Sequence, residues 1–266
     1  MLNREYRAEL IRKYARSPED DELLARLLDK VDIHERSGLM QHSRFLSERD
    51  RLCCEPVLRA LGKEAVFWGG YPEAERTVLI LPAEWQEPES VKHGEACPVA
   101  VLRASFRKEE NLSHRDFLGA LMGLGIERDL VGDIIPGSGS CDLVLLREIV
   151  PYVLQNLLSA GRVPLSLTEI PEAEAKAAEF RLLHDTVASL RLDAIVGCGF
   201  SLAREKASAA IRAGKVAVNG MECMKPDKPV EAGDRISLRG LGKMELSEIG
   251  GLSRKGRTQI VIKRFV

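Results

Sequence analysis

The chain has 266 residues, 45% of them hydrophobic, which is enough for two or three small domains with real cores. Its charged start, Asn3-Arg4-Glu5, lacks the apolar stretch of an export signal, and no apolar run reaches bilayer length. A cytoplasmic protein without a membrane partner is therefore expected. The six cysteines (Cys53, Cys54, Cys97, Cys141, Cys198 and Cys223) form no Cys-x-x-Cys pair, which points to reduced core thiols and away from a metal.

Residues 1–62 read as a helical N-terminal region. Glu5 to Tyr14 and Asp21 to Asp29 carry apolar residues at three- and four-residue spacing, and Ser17-Pro18 marks a helix start between them. Ser47 to Leu61 reads as a third helix containing Pro56. His34 and His42 lack matching ligands and read as surface or capping groups.

Residues 63–172 change to a strand period. Ala65 to Tyr71 and Arg76 to Leu81 form a hairpin, and Pro82 to Pro98 is a loop rich in Glu and Pro. Then follow a strand (Val99 to Phe106), a helix (Ser113 to Leu124) and two strands (Leu130 to Ile135, Asp142 to Leu146). A helix from Arg147 to Ala160 and a strand from Val163 to Ile170 complete the series. The order β-α-β-β-α-β predicts a ferredoxin-like, RRM-like middle domain with an extra hairpin in front. The third core strand has no aromatic on which a base could stack, so RNA contact here would use charges or edges. Arg76, Arg103 and Arg107 are the candidates, although each reads more readily as a simple surface residue.

Residues 173–266 comprise a linker helix, opened by Pro171 and reaching about Glu179, and a C-terminal module. Phe180 to Ala188 is extended. Two short helices follow, the first capped by Ser189 and ended by Gly197-Cys198-Gly199, the second capped by Ser201 and stopped by Gly214. Arg204, Ser208, Arg212 and Lys215 lie along one face of the second helix. Asn219-Gly220 is a hairpin signal. Strands are predicted over Arg235 to Arg239, with Ile236 and Leu238 inside, over Met244 to Leu246, and over Thr258 to Phe265.

The net charge of −1 hides an asymmetry. Residues 180–266 hold 16 Lys and Arg against 9 Asp and Glu, whereas residues 1–179 hold 23 against 31. The cationic end is the expected nucleic-acid footprint. Its candidate phosphate ligands are Arg191, Arg204, Lys206, Arg212, Lys215, Arg239 and Lys243, joined by the basic loop residues Arg254, Lys255 and Arg257, with Asn219 as a turn or backbone contact. No His-Glu-x-x-His, Walker loop or Gly-x-Ser-x-Gly elbow is present, and Gly137-Ser138-Gly139 lies between strands as a hairpin turn. No catalytic residue, cofactor or metal is expected.

Arg191-Leu192-Asp193, Arg204, Ala207, Ile211, Gly214, Val216 and Val218-Asn219-Gly220 together resemble the S-four-type (αL) RNA-binding domain. The wider chain is similar to the YlmH-type family of bacterial RNA-binding proteins. The resemblance runs through Phe45-Leu46-Ser47-Glu48-Arg49, Gly69-Gly70-Tyr71 with Ala74-Glu75-Arg76, Leu124-Gly125-Ile126 with Arg128 and Gly132-Asp133-Ile134, and Arg239-Gly240 with Gly242-Lys243. It implies an α+β chain that binds rRNA of the large ribosomal subunit and peptidyl-tRNA in rescue or quality control of stalled translation. A role near cell division has also been attached to the family. A monomer is expected. Two other readings stand beside it: an RNA-modifying enzyme, since Arg191-Leu192-Asp193 also resembles a pseudouridine synthase motif, and a ligand-sensing or assembly protein.

Overall fold

The computed structural model describes residues 2–174, 180–253 and 256–265. They fall into two compact units, Met1–Ala175 and Lys176–Val266, both of mixed α+β structure.

The first unit starts with α1 (Arg4–Tyr14) and α2 (Pro18–Ser37), the latter capped by the Ser17 hydroxyl with Pro18 in its first turn. The α2 helix runs past the predicted end at Asp29 until Gly38, at φ +63°, stops it. The structure then adds an unpredicted strand, β1 (Gln41–Leu46). Gln-His-Ser-Arg-Phe-Leu has no apolar alternation because only its last two residues are buried. Helix α3 (Glu48–Ala60) opens with a Ser47–Asp50 capping box and contains Pro56. Strands β2 (Val66–Trp68) and β3 (Thr77–Leu81) form the predicted hairpin, and β1 joins it in the antiparallel order β1-β3-β2.

A second sheet holds β4 (Val99–Ser105), β5 (Val131–Pro136), β6 (Ser140–Leu146) and β9 (Ser166–Ile170) in the order β5-β6-β4-β9, all antiparallel. Helices α4 (His114–Gly123) and α5 (Val150–Asn156) link these strands. The predicted helix over Arg147 to Ala160 is cut at both ends. Pro151 starts its α-helical part late, and Ser159–Ala160 becomes β7, paired with β8 (Val163–Pro164). Pro171 to Glu174 are not helical, and the rest of the expected linker helix, residues 175–179, lies outside the described residues.

These elements stack in layers. Leu46, Leu79 and Leu81 turn toward α1–α3, while Phe45, Val78 and Ile80 meet Val99, Val101, Val144 and Leu146 of the second sheet. The far face of that sheet, with Leu102, Leu143 and Leu145, lies under α4 and α5. Both sheets are covered on both sides, so β3 is buried along its whole length and reads Thr-Val-Leu-Ile-Leu without alternation.

The second unit contains β10 (Phe180–Val187), α6 (Leu192–Gly199), α7 (Arg204–Arg212), β11 (Val216–Val218), β12 (Met221–Glu222), β13 (Arg235–Leu238), β14 (Gly242–Leu252) and β15 (Thr258–Phe265). Its sheet runs β10-β15-β14-β13-β11-β12. One face packs Val216, Val218, Ile236, Leu238, Met244, Leu246, Ile260 and Ile262 against Leu192, Ile195, Ala207 and Ile211 of the two helices. The predicted serine caps are not used. The residue preceding α6 is Arg191, and the α6 amides of Leu192 and Asp193 donate instead to the carbonyls of Lys228 and Pro226. Ser201 adopts φ +55° in the inter-helix turn, and Ala203 precedes α7 without a side-chain cap. Strand β14 outlasts its predicted span because bulges after Leu246 and Ile249 let it keep pairing with β15.

Gly132 shows how closely the two sheets of the first unit approach. A Cβ there would lie 2.6 and 2.9 Å from ring atoms of Phe45. Gly132→Ala should cost about 1–3 kcal/mol by overpacking. In α4, Gly119 has open space around it, and Gly119→Ala should stabilise by up to about 1 kcal/mol. Urea titrations of both variants check this, and equal effects would show that the sheets can part.

Candidate nucleic-acid interface

Helix α7 forms because Ala207 and Ile211 recur at four-residue spacing on the core side, and it stops at Gly214 with φ +66°. A side chain at Gly214 would meet the Glu222 carboxylate at 2.7 Å, a contact the flexible glutamate can yield, so it is the left-handed backbone that favours glycine here. Arg204, Ser208 and Arg212 then fall on one outward line, with both arginines exposed. At 1.5 Å per residue this line is about 12 Å long.

At its N-terminal end lies Asp193, buried at 3% exposure. The Nε and Nη2 atoms of Arg191 donate to its two oxygens at 3.2 and 3.1 Å, and Arg204 Nε donates at 3.3 Å. Burial alone would raise this carboxyl's pKa, but the two guanidinium groups outweigh it and hold it below the usual range. The same bond raises the pKa of Arg191. The arginines keep outward-facing area, 41% and 64% of their side chains. Two cations on one buried anion leave one net positive charge in a fixed place.

At the other end, the Arg239 amide donates to the Lys215 carbonyl at 2.9 Å, which makes these residues cross-strand neighbours. Lys243 pairs with Ser237 on the return strand after Gly240 and Gly242. All three cationic side chains are exposed. Asn219, at φ +52°, has its side chain committed to the turn: Nδ2 donates to Asp234 at 2.7 Å, and Oδ1 accepts from the Arg235 amide at 2.8 Å.

The predicted residues thus separate. Arg191 and Arg204 meet at Asp193, Lys215, Arg239 and Lys243 gather at one end of the sheet, and Arg212 lies between. Lys206 is exposed but about 200° around the helix from Arg204. Arg257 is tied to Thr186 of β10, with Nε donating to the hydroxyl at 3.0 Å and Nη2 to the carbonyl. Arg254 and Lys255 lie outside the described residues. Sequence reasoning missed Asp193 as the group that positions two of these cations. An Arg-x-Asp step at a helix start was the available signal.

In the first unit, two of the proposed cations serve the fold. Arg76 donates to the carbonyls of Val131 and Phe45, both at 3.2 Å. Arg103 makes a bidentate pair with Asp142 at 2.8 Å and reaches Glu174 at 3.0 Å. Arg107 alone of the three is exposed. Asp133 accepts from the Tyr71 hydroxyl at 2.8 Å and the Glu75 amide at 2.7 Å, joining the Gly-Gly-Tyr and Gly-Asp-Ile blocks in one joint. Among the described residues no group of three or more His, Cys, Asp or Glu is placed to hold a metal ion, and no helix is long and apolar enough to cross a membrane. The thiols of Cys54, Cys97, Cys141 and Cys223 are buried, and burial pushes that of Cys141 up to about 12.

Residues 103–174 match a family model described as "Putative RNA-binding domain in YlmH". The ribosome-associated protein quality control protein P2 of Bacillus subtilis (strain 168) is 31% identical over 227 residues, covering 85% of this chain and 87% of the relative. The chain belongs to the YlmH-type family. A solved structure, the cell division protein ylmH from Streptococcus pneumoniae, superposes with a TM-score of 0.51 at 19% identity. That match covers 59% of this chain and 94% of the other, and shows a shared fold. The family assignment gives the blocks from Phe45 to Asp133 their physical meaning: Phe45, Gly70, Tyr71, Arg76 and Gly132 pack or bond within the joint between the two sheets.

The Asp193 pairing yields a pH test. A carboxyl whose folded pKa is lowered stabilises the protein above its unfolded pKa, near 3.9, and that stabilisation is lost as pH falls through the folded value. Asp193→Asn should therefore unfold at lower urea than the parent at pH 7, with the gap closing below about pH 4. A gap that persists at pH 2.5 would mean that Asp193 acts through packing alone.

Proposed function

We propose that this protein is a non-catalytic RNA-binding factor that associates with the ribosome and grips structured rRNA or tRNA. The observation that carries this is the succession of exposed cations from the anchored Asp193 pair, along α7, toward Lys215 and Arg239. Kinship with a ribosome-associated quality control protein supplies the setting. In this reading the second unit is an S-four-type module, and the β5-β6-β4-β9 sheet with α4 and α5 is a ferredoxin-like domain that, with residues 1–62, forms the body carrying it. Lys243 extends the grip, Asn219 shapes the turn, and Lys206, Arg254, Lys255 and Arg257 lie at the margins. The bound element is an A-form helix read by shape, because the deep, narrow major groove of RNA does not admit side chains. The large subunit and a peptidyl-tRNA are the specific partners we favour.

The family model over 103–174 favours a second contact. Both faces of that sheet are covered, so the contact would use exposed loop and helix cations: Arg107, Lys108, Arg115 and Arg162.

Binding of an RNA hairpin should fall steeply between 50 and 200 mM salt, with about five phosphates neutralised. Arg204→Ala with Arg212→Ala should lower affinity at least tenfold and flatten the salt slope by about two, in a chain still folded because Arg191 remains on Asp193, which the melting temperature checks. Filter binding across a salt series measures both. A flat salt response, or unchanged affinity in the double variant, would overturn the reading.

A further inference from the structure

The cations at the sheet end border two surfaces. One is the helix side described above. The other is the face of the second unit's sheet that points away from α6 and α7. Side chains alternate across a strand, and the register shows which residues share that outer face. Phe180 lies opposite Phe265, Leu182 opposite Lys263, Lys263 opposite Glu245, and Glu245 opposite Arg235. Ser237 lies opposite Lys243 and Ala217 opposite Ser237. One register step from the Met244–Arg264 pair places Lys243 beside Phe265. A single row therefore runs Phe180, Phe265, Lys243, Ser237, Ala217.

The chemistry of this row is specific. Phe180 and Phe265 meet edge to face at 6.5 Å between ring centres, and Phe180 is 47% exposed. Lys263 Nζ lies 5.7 Å from the Phe180 ring. Serine and alanine leave a low floor on the far side of Lys243 from the rings. Lys215 and Arg239 border that floor two residues further along from Ala217 and Ser237. Three acidic residues share the face: Glu245 lies 3.4 Å from Arg235 and 3.7 Å from Lys263, Glu248 lies opposite Val261, and Glu222 lies opposite Ala217 at the end of the row furthest from the two rings. An exposed ring backed by a half-buried one, with a low floor and cations on the same face, is what unpaired nucleotides need, since the rings stack bases and the cations hold phosphates. The middle sheet, covered on both sides, offers no such floor.

We propose that the outer face of this sheet stacks two or three unpaired nucleotides, with a base on Phe180 and Phe265 and phosphates on Lys243 and Arg239. The proposal rests on the RNA-binding reading above and extends it, because the shared rim would place this single strand next to a duplex held on α7. The preferred RNA is then a duplex with a single-stranded extension, the two rings and the adjacent cations giving room for two or three bases.

The test uses the full chain and two RNA probes: a blunt hairpin, and the same hairpin with a four-nucleotide tail carrying 2-aminopurine. The tail should raise affinity about tenfold, and stacking should quench its fluorescence. Phe180→Ala removes a half-exposed ring and should abolish both effects while leaving blunt-hairpin affinity and melting temperature unchanged. Phe180→Trp should restore quenching. Quenching that survives Phe180→Ala, or a tail that adds nothing to the parent, overturns the proposal. So does a parent that sediments as a dimer and becomes monomeric on Phe180→Ala, since the face would then be a contact between copies. Loss of hairpin binding in the parent with tail quenching intact would instead refute the duplex reading and leave this one standing.

Discussion

A carboxylate can be buried only if its charge is answered, and this chain uses that constraint repeatedly. The buried charged residues among those described are Asp20, Asp32, Asp142 and Asp193, and each holds an arginine from another element or turn. Asp32 of α2 takes Arg7 of α1, Asp20 takes Arg49 of α3, and Asp142 of β6 takes Arg103 of β4. These three arginines are 24–34% exposed and act as rivets. Asp193 follows the same plan with two partners, and both stay more open, at 41% and 64%. A surplus cation on a rivet is a charge held in position and still available to a ligand.

Preorganisation is the gain. A lone surface arginine loses side-chain freedom when it grips a phosphate, whereas one already oriented by a carboxylate has lost most of it on folding. Arg191 and Arg204 also sit where the 225–230 segment crosses the start of α6, since the amides of Leu192 and Asp193 donate to Pro226 and Lys228. The loop that replaces a serine cap therefore also fixes the cations.

This explains what could be read from sequence and what could not. Gly214, Asn219-Gly220 and the alternation of Ile236 and Leu238 were legible because each obeys a local rule: a left-handed stop, a hairpin turn and a one-sided strand. Strand β1 was not, because it is bulged and buries only Phe45 and Leu46. The cap at Ser189 failed for a tertiary reason, since distant carbonyls satisfied the α6 amides, whereas Ser201 takes φ +55° in the turn and α7 starts after Ala203. Arg76 and Arg103 read as surface cations open to RNA, because a cation in a strand gives no sign of the acceptor that folding will bring to it. The α7 stripe survived because helical spacing alone puts Arg204 and Arg212 on one side.

The two sheets differ in a way that bears on where RNA can sit. In the first unit, each sheet face is spent on a core, so a ligand there is limited to loops and edges. In the second, helices cover one face only, and the other keeps Phe180, Leu182, Lys243 and Arg235 on its surface. Charge follows the same division, with an excess of eight acidic residues before Phe180 and of seven basic residues after it. An acidic body repels phosphate in general and so suppresses non-specific RNA binding by the chain as a whole. The C-terminal unit carries the opposite excess, and there Arg191 and Arg204 are already oriented by Asp193, so a phosphate meeting them would cost little further side-chain freedom.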